Sequence, residues 1–304
     1  MKVVIAGGTG FLGRALAQAC LRDGDEVVVL SRSASPPPGA PAGARHVRWT
    51  PDGTPGDWAR ALEDAVVVFN LAGEPIAARR WSAAQKARIR DSRIRATRSI
   101  VAALAGLASP PVLVNASAVG YYGSRGDEVL TESAAPGTDF LARVCIEWER
   151  EAMGAERAGA RVVLLRTGLV LAREGGALPP LLLPFRLFVG GPLGSGRQYW
   201  PWIHRDDWVA LARFLARTPA ASGPFNLTAP APATNRELSA ALGRVLRRPS
   251  ALPTPAFALR ILLGEMADAL LLASQRARPE RALAMGFRFT YTELEPALRA
   301  ALGG

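Results

Sequence analysis

Lys2-Val3-Val4-Ile5-Ala6-Gly7-Gly8-Thr9-Gly10-Phe11-Leu12-Gly13 decides the fold. Lys2 to Ala6 is a short apolar run halted by glycine, which suits a strand buried on both faces. From Leu12 to Arg22 the apolar residues Leu12, Ala15, Leu16, Ala19 and Cys20 recur at helical spacing. A strand that turns into a helix through three glycines at this spacing is a dinucleotide fingerprint. Gly7 permits the tight turn, Gly10 lets backbone amides approach a pyrophosphate, and Gly13 lets the helix lie close to the sheet. The helix N-terminus adds unpaired N–H groups and a partial positive charge. Thr9, Phe11 and Leu12 fill the loop and count with the glycines as cofactor contacts. A ligand-free glycine turn is the competing reading. The strand before it and the helix after it, both of which the motif requires, favour binding.

The end of the second strand, Glu26 to Leu30, separates one dinucleotide from another. An acid there binds the adenosine ribose hydroxyls and repels a 2′-phosphate. Here the sequence continues Ser31-Arg32-Ser33, with no acid, and Arg32 stands nineteen residues past Gly13. Arg32 offers a fixed charge and forked donors to a phosphate dianion, with the Ser31 hydroxyl beside it. The bland alternative is one more solvated arginine. Position and the missing acid point to NADP(H) ahead of NAD(H).

Working outward, Arg45 to Trp49, Val66 to Asn70, Val112 to Ala116 and Arg161 to Arg166 read as further strands. Between them Ser82 opens a long polar helix to about Leu107, and Asp139 to Ala158 forms another. Pro36, Pro37, Pro38 and Pro41 make 35–44 a surface loop. Strands alternating with helices imply a parallel sheet covered on both faces. The fold class is therefore α/β, a Rossmann-type doubly wound parallel sheet with a small, mostly helical C-terminal lobe. Residues 1–230 form the dinucleotide domain, with 171–204 contributing to a substrate lobe, and 250–297 form the small C-terminal domain. In the tail, Phe287 to Tyr291 alternates like a short strand.

The net charge of +11 invites a nucleic-acid reading. The positive residues are almost all arginines, only Lys2 and Lys86 being lysine, and they are scattered rather than gathered into an aromatic-interleaved stripe. No nucleic-acid partner is expected; an unidentified small-molecule substrate is. The two cysteines, Cys20 and Cys145, give neither a disulfide framework nor metal-ligand spacing, so no metal is expected and a reducing, cytoplasmic setting is. No apolar run reaches membrane-spanning length, and no signal-peptide pattern opens the chain.

The glycine spacing resembles the extended short-chain dehydrogenase/reductase superfamily. A narrower likeness is carried by Asn70-Leu71-Ala72-Gly73-Glu74, Arg79-Arg80-Trp81, Asp91-Ser92-Arg93, Ser117 to Gly123, Pro184-Phe185-Arg186, Gly190 to Gly196 and Pro201-Trp202-Ile203-His204. These look like the atypical subgroup of NAD-dependent epimerase/dehydratase-like "epimerase family" proteins, which end in a small domain of unknown function; the stretch from about Ser250 to Ala297 is similar to that domain. The resemblance implies that Asn70, Leu71, Ala72, Gly73 and Glu74 pass the riboses, and that Glu74 with Arg79 or Arg80 frames the cofactor. It implies that Ser117 takes the place of the catalytic serine or threonine, and that Arg166 and Gly168 lie near the nicotinamide.

One departure outweighs these matches. Superfamily catalysis uses a tyrosine and, four residues on, a lysine that lowers the tyrosine pKa and holds the ribose. No Tyr-x-x-x-Lys exists in this chain, and the helix that should carry it offers Leu141 and Cys145 instead. Other candidates remain. Tyr122 either presents a phenol to the cleft or serves as its wall, and with Ser117 it is the catalytic candidate. His204 is either a proton donor or a structural histidine. Lys86 reads as solvated, Asp206-Asp207 as no paired-carboxylate site, and Cys145 as packed. Three functions follow: an NADP(H)-dependent epimerase/dehydratase-like oxidoreductase with a non-standard acid, a non-catalytic redox-responsive NADP(H)-binding protein, and a nucleic-acid-associated basic protein.

Overall fold

In the computed structural model, which describes residues 1–33 and 35–303, the opening run is β1 (Lys2–Ala6), buried from Val3 onward. It is followed by α1 (Phe11–Arg22), β2 (Glu26–Ser31), β3 (Arg45–Arg48), β4 (Val67–Asn70), α2 (Ala83–Leu104), β5 (Val112–Ala118), β6 (Val129–Leu130) and α3 (Phe140–Met153). The chain continues through β7 (Val162–Thr167), β8 (Leu169–Leu171), α4 (Leu178–Arg186), β9 (Tyr199–Trp200), β10 (Trp202–His204), α5 (Arg205–Arg217), β11 (Gly223–Leu227), β12 (Ala233–Thr234) and α6 (Asn235–Leu246). The tail holds α7 (Ala256–Leu263), β13 (Arg276–Ala277), α8 (Glu280–Ala284) and α9 (Leu294–Leu302).

Seven strands form one parallel sheet in the order β11-β7-β5-β4-β1-β2-β3. Alternation along β1 sends Val3 and Ile5 toward Leu16 of α1 and Trp208 and Leu211 of α5. It sends Val4 and Ala6 toward Ile100 and Leu104 of α2 and Ala152 of α3. Both faces are covered, which is why the strands read as unbroken apolar runs. Strand order reverses between β1 and β4, so their C-terminal ends open a crevice where such sheets bind ligands. This is the doubly wound architecture expected from the sequence.

A separate apolar cluster, including Leu171, Phe185, Trp200, Trp202, Leu238 and Leu298, unites the 169–204 segment with α6 and α9. Three two-stranded ladders stitch the parts together: β8 with β10 in parallel, β9 with β12 antiparallel, and β6 with β13 in parallel. The last ties the tail to the loop that follows β5.

Two elements differ from the sequence reading. Phe287 to Tyr291 is not a strand. The backbone N–H groups of Thr290 and Tyr291 donate to the buried Asp207 carboxylate at 2.9 and 2.8 Å, so no strand partner takes them. The alternating aromatics pack instead on Phe214, with Phe287 and Phe289 edge to face. The seventh strand, β11, lies outside the strands read from the sequence; it stands at the sheet edge, where Pro224, without an N–H, is tolerated.

Candidate functional site

The glycine loop sits at the strand reversal. Gly7 has φ +78°, and a Cβ there would lie 2.9 Å from the Leu71 backbone at the end of β4, so glycine alone fits. A Cβ on Gly13 would collide with the Gly7 carbonyl oxygen, which explains the close approach of α1 to the turn. Gly10 caps α1 with no side-chain acceptor and no acid in the first turn, leaving the helix's first N–H groups for an anion. Arg14 braces the loop through Nε to the Thr9 carbonyl at 2.7 Å. The Phe11 ring lies under Gly175 and Gly176, where an added Cβ on Gly175 would be 2.6 Å from it. Gly175 and Gly176 therefore pack against the glycine loop.

At the adenosine end, Ser31 closes β2 with its hydroxyl accepting the Ser33 N–H at 3.1 Å, and Arg32 is exposed beside it. The end of β4 is more occupied than the resemblance implied. Asn70 is fully buried; its amide donates to Thr97 Oγ1 at 2.9 Å and Asn115 Oδ1 at 2.7 Å, so it joins strands rather than facing a ribose. Leu71 and Ala72 are half-buried, and their backbone abuts Gly7. The Glu74 N–H donates to Ser92 at 2.9 Å. Arg80 donates to the Ile261 carbonyl of α7 at 3.3 Å, and Lys86 pairs with Glu265, so these two cations bridge to the tail.

The ends of β5 and β7 differ in kind. Ser117 is buried and donates to Glu149 Oε1 at 2.6 Å. Glu149 in turn holds Arg166 through two hydrogen bonds of 2.8 Å. Arg166 Nη1 donates to the Tyr122 hydroxyl at 3.1 Å, and that hydroxyl donates to Asn226 Oδ1 at 2.7 Å. Burial works against the Arg166 charge, yet the Glu149 carboxylate holds its pKa above the ordinary value. Burial also pushes the Tyr122 phenol up to about 12. The chain of groups ends on Glu132, whose carboxylate accepts the Asn226 N–H at 3.0 Å and the Arg281 N–H of α8. Burial raises its pKa.

This geometry corrects three further assignments. Tyr122 is not a cleft acid: it is completely buried and both sides of its hydroxyl are engaged. Arg166 is committed to an internal ion pair rather than to a ligand. At Gly168 the Pro201 carbonyl fills the side-chain space, so that glycine serves the close passage of β10, not a cofactor. His204 is buried, and its Nδ1 accepts the Asp206 N–H at 3.2 Å, capping α5. Burial lowers its pKa, which suits a neutral, structural ring stacked 4.0 Å from Tyr291. Cys145 is buried with its thiol pushed up to about 12, and Leu141 packs on Gly120.

Sequence reasoning missed Glu149, Asn226 and Asp207. Glu149 was findable: it falls on the buried stripe of α3 with Ala142, Cys145 and Ala152. A charge on such a stripe needs a buried partner. Among the described residues no group of three His, Cys, Asp or Glu could hold a metal, and no helix is long and apolar enough to cross a membrane.

A parallel sheet with a glycine loop at its reversal and an uncapped helix start above it is the architecture of a Rossmann-type dinucleotide fold. The chain belongs to the NAD-dependent epimerase/dehydratase family, whose model matches residues 3–228; a domain of unknown function matches 254–301. An epimerase family protein of Mycobacterium bovis is 44% identical over 298 residues, spanning 97% of this chain and 96% of its own. A chloroplastic epimerase family protein of Arabidopsis thaliana is 42% identical, with 99% of this chain and 87% of its own covered. The crystal structure of human epimerase family protein SDR39U1 with NADPH superposes with a TM-score of 0.88 at 32% identity, over 100% of this chain and 99% of that one.

Proposed function

We propose that this chain binds NADP(H) at the glycine loop and acts as an epimerase/dehydratase-like oxidoreductase on an unidentified small molecule in the cleft beneath residues 171–204. The observation that carries the cofactor reading is the pairing of free helix N–H groups at Gly10 with an exposed Arg32, and no acid, at the end of β2. The NADPH in the human relative's structure supports it. NADPH binds more tightly than NADH in this reading, and Arg32→Ala narrows the gap by about 1–3 kcal/mol, the scale of one charged contact. Equal affinities of the parent protein for the two nucleotides in titration calorimetry sink it.

A second reading, a redox-responsive binding protein without turnover, is favoured by one observation. The two hydroxyls nominated for catalysis, those of Ser117 and Tyr122, are held inside the protein. Steady-state NADPH oxidation over a panel of carbonyl compounds and sugar nucleotides separates the two. Turnover that survives both Ser117→Ala and Tyr122→Phe supports an enzyme with another acid; absent turnover with tight NADPH binding supports the binding protein. Two buried free cysteines fit a reducing, cytoplasmic setting. The scattered arginines argue for a small-molecule partner over a nucleic acid.

A further inference from the structure

Arg93, on α2 in the Asp91-Ser92-Arg93 stretch, stands beside the Ser92 that holds the Glu74 N–H. The half-buried Arg93 side chain lies across the end of β4. Its Nη1 donates to the Ile89 carbonyl at 2.8 Å and to the Glu74 carbonyl at 3.0 Å. The guanidinium carbon stands 5.1 Å from the ring centroid of Trp148, on the facing helix α3. A Cβ on Gly73 would come within 3.2 Å of that carbon, so the glycine leaves room for the arginine. Among the described residues Arg93 has no carboxylate partner, and its Nε and Nη2 donate to no protein group.

The neighbourhood is the one from which the family's lysine is missing. Cys145, at that lysine's position on α3, points its sulfur at the Ala118 carbonyl, 3.7 Å away at the tip of β5. Burial pushes the Cys145 thiol up, and the nearby Arg93 charge is among the influences opposing it. Arg93 thus brings a fixed positive charge to the same gap between the ends of β4 and β5, from the adjacent helix. It is held by two carbonyls and an aromatic face, with the three N–H donors of Nε and Nη2 unspent. Removal from water works against its charge, so a ligand that accepts those donors relieves the penalty.

We infer that Arg93, reaching across from α2, grips the vicinal hydroxyls of the nicotinamide-side ribose in place of the lysine absent from α3. The inference rests on the NADP(H) reading. A guanidinium binds as that lysine does but stays protonated, so it positions the ribose without passing a proton.

The test compares NADPH with adenosine 2′-phosphate 5′-diphosphate, which keeps the adenosine half and both bridging phosphates but lacks the second ribose. By titration calorimetry Arg93→Met weakens NADPH by about 10- to 100-fold and changes the fragment by less than about twofold. Arg93→Lys recovers most of the loss. Arg93→Gln, which keeps a donor for the Glu74 carbonyl, shows the same selective loss and replaces the methionine variant if that one unfolds. Unchanged NADPH affinity in the variants overturns the inference, as does an equal loss for both probes, which assigns the guanidinium to the phosphates or to the fold. A parent protein that binds neither probe overturns the NADP(H) reading itself, and this inference with it.

Discussion

The two halves of the crevice are built on opposite principles. The adenosine half, from Gly7 to Arg14 with Ser31 and Arg32, presents unspent donors: free helix N–H groups and an exposed guanidinium. The other half spends most of its donors internally, through Ser117, Glu149, Arg166, Tyr122 and Asn226 in one buried chain of hydrogen bonds, with Arg93 the exception. Groups that await a ligand are kept at the surface of a turn, and groups already satisfied are buried, because an unpaired polar atom is costly only when water cannot reach it. The contrast teaches that cofactor recognition and acid–base chemistry are separable in this fold. Here the donors suited to the first stand free, while the hydroxyls nominated for the second, those of Ser117 and Tyr122, are hydrogen-bonded inside the protein.

The largest effect should come from the satisfied half. Glu149→Ala leaves Arg166 buried without a counter-ion and is expected to cost about 3–5 kcal/mol in urea unfolding. NADPH affinity of the molecules that stay folded should move by less than about threefold; loss of both together would erase the distinction between the halves. Next, Gly13→Ala drives a methyl group into the Gly7 carbonyl and should weaken NADPH by about a hundredfold, roughly 3 kcal/mol. Native affinity in that variant would mean that the loop is not the phosphate site. Tyr122→Phe removes one hydroxyl from the chain and should lower stability by about 1–2 kcal/mol while leaving nucleotide binding unchanged. Weakened binding would return Tyr122 to the cleft.

The smallest effect is a slope. Burial raises the thiol of Cys145 from 9.0 to about 12 and that of Cys20 to about 11. An acid whose pKa is raised by folding contributes stability that is complete below its ordinary value and is lost as pH rises through the folded value. The urea midpoint should therefore fall progressively from pH 9 toward 12, and Cys145→Ala should make that fall shallower. Parallel curves for parent and variant would contradict the burial of that thiol.

What was legible in the sequence follows the same division. The glycine loop and the Ser31-Arg32 signature state their requirements locally, in backbone freedom and in one charge at one strand end, so a window of residues reveals them. The missing lysine was equally plain. The fate of Tyr122 was not, because its hydroxyl is fixed by Asn226, 104 residues away on a strand that Gly223 and Pro224 disguise. Asn70 looked like a ribose contact until the positions of Thr97 and Asn115 were known. Arg93 was visible only within the Asp91-Ser92-Arg93 likeness, and its role was not, because a charge supplied by a different helix leaves no spacing to recognise.

The buried polar groups that the tail satisfies have a temporal consequence. Asp207, Asn226 and Glu132 lie within the first 228 residues, yet their partners include the backbone of Arg278, Arg281, Thr290 and Tyr291. A ribosome releases the chain from its N-terminus, and Tyr291 emerges 63 residues after Thr228. At about 5–20 residues per second that delay is roughly 3–13 s. During that interval the nascent sheet has its strands but not the partners for its interior charges. The two regions that look like separate domains in the sequence should thus mature as one cooperative unit once Tyr291 has emerged, and residues 1–230 made alone should remain short of the native state.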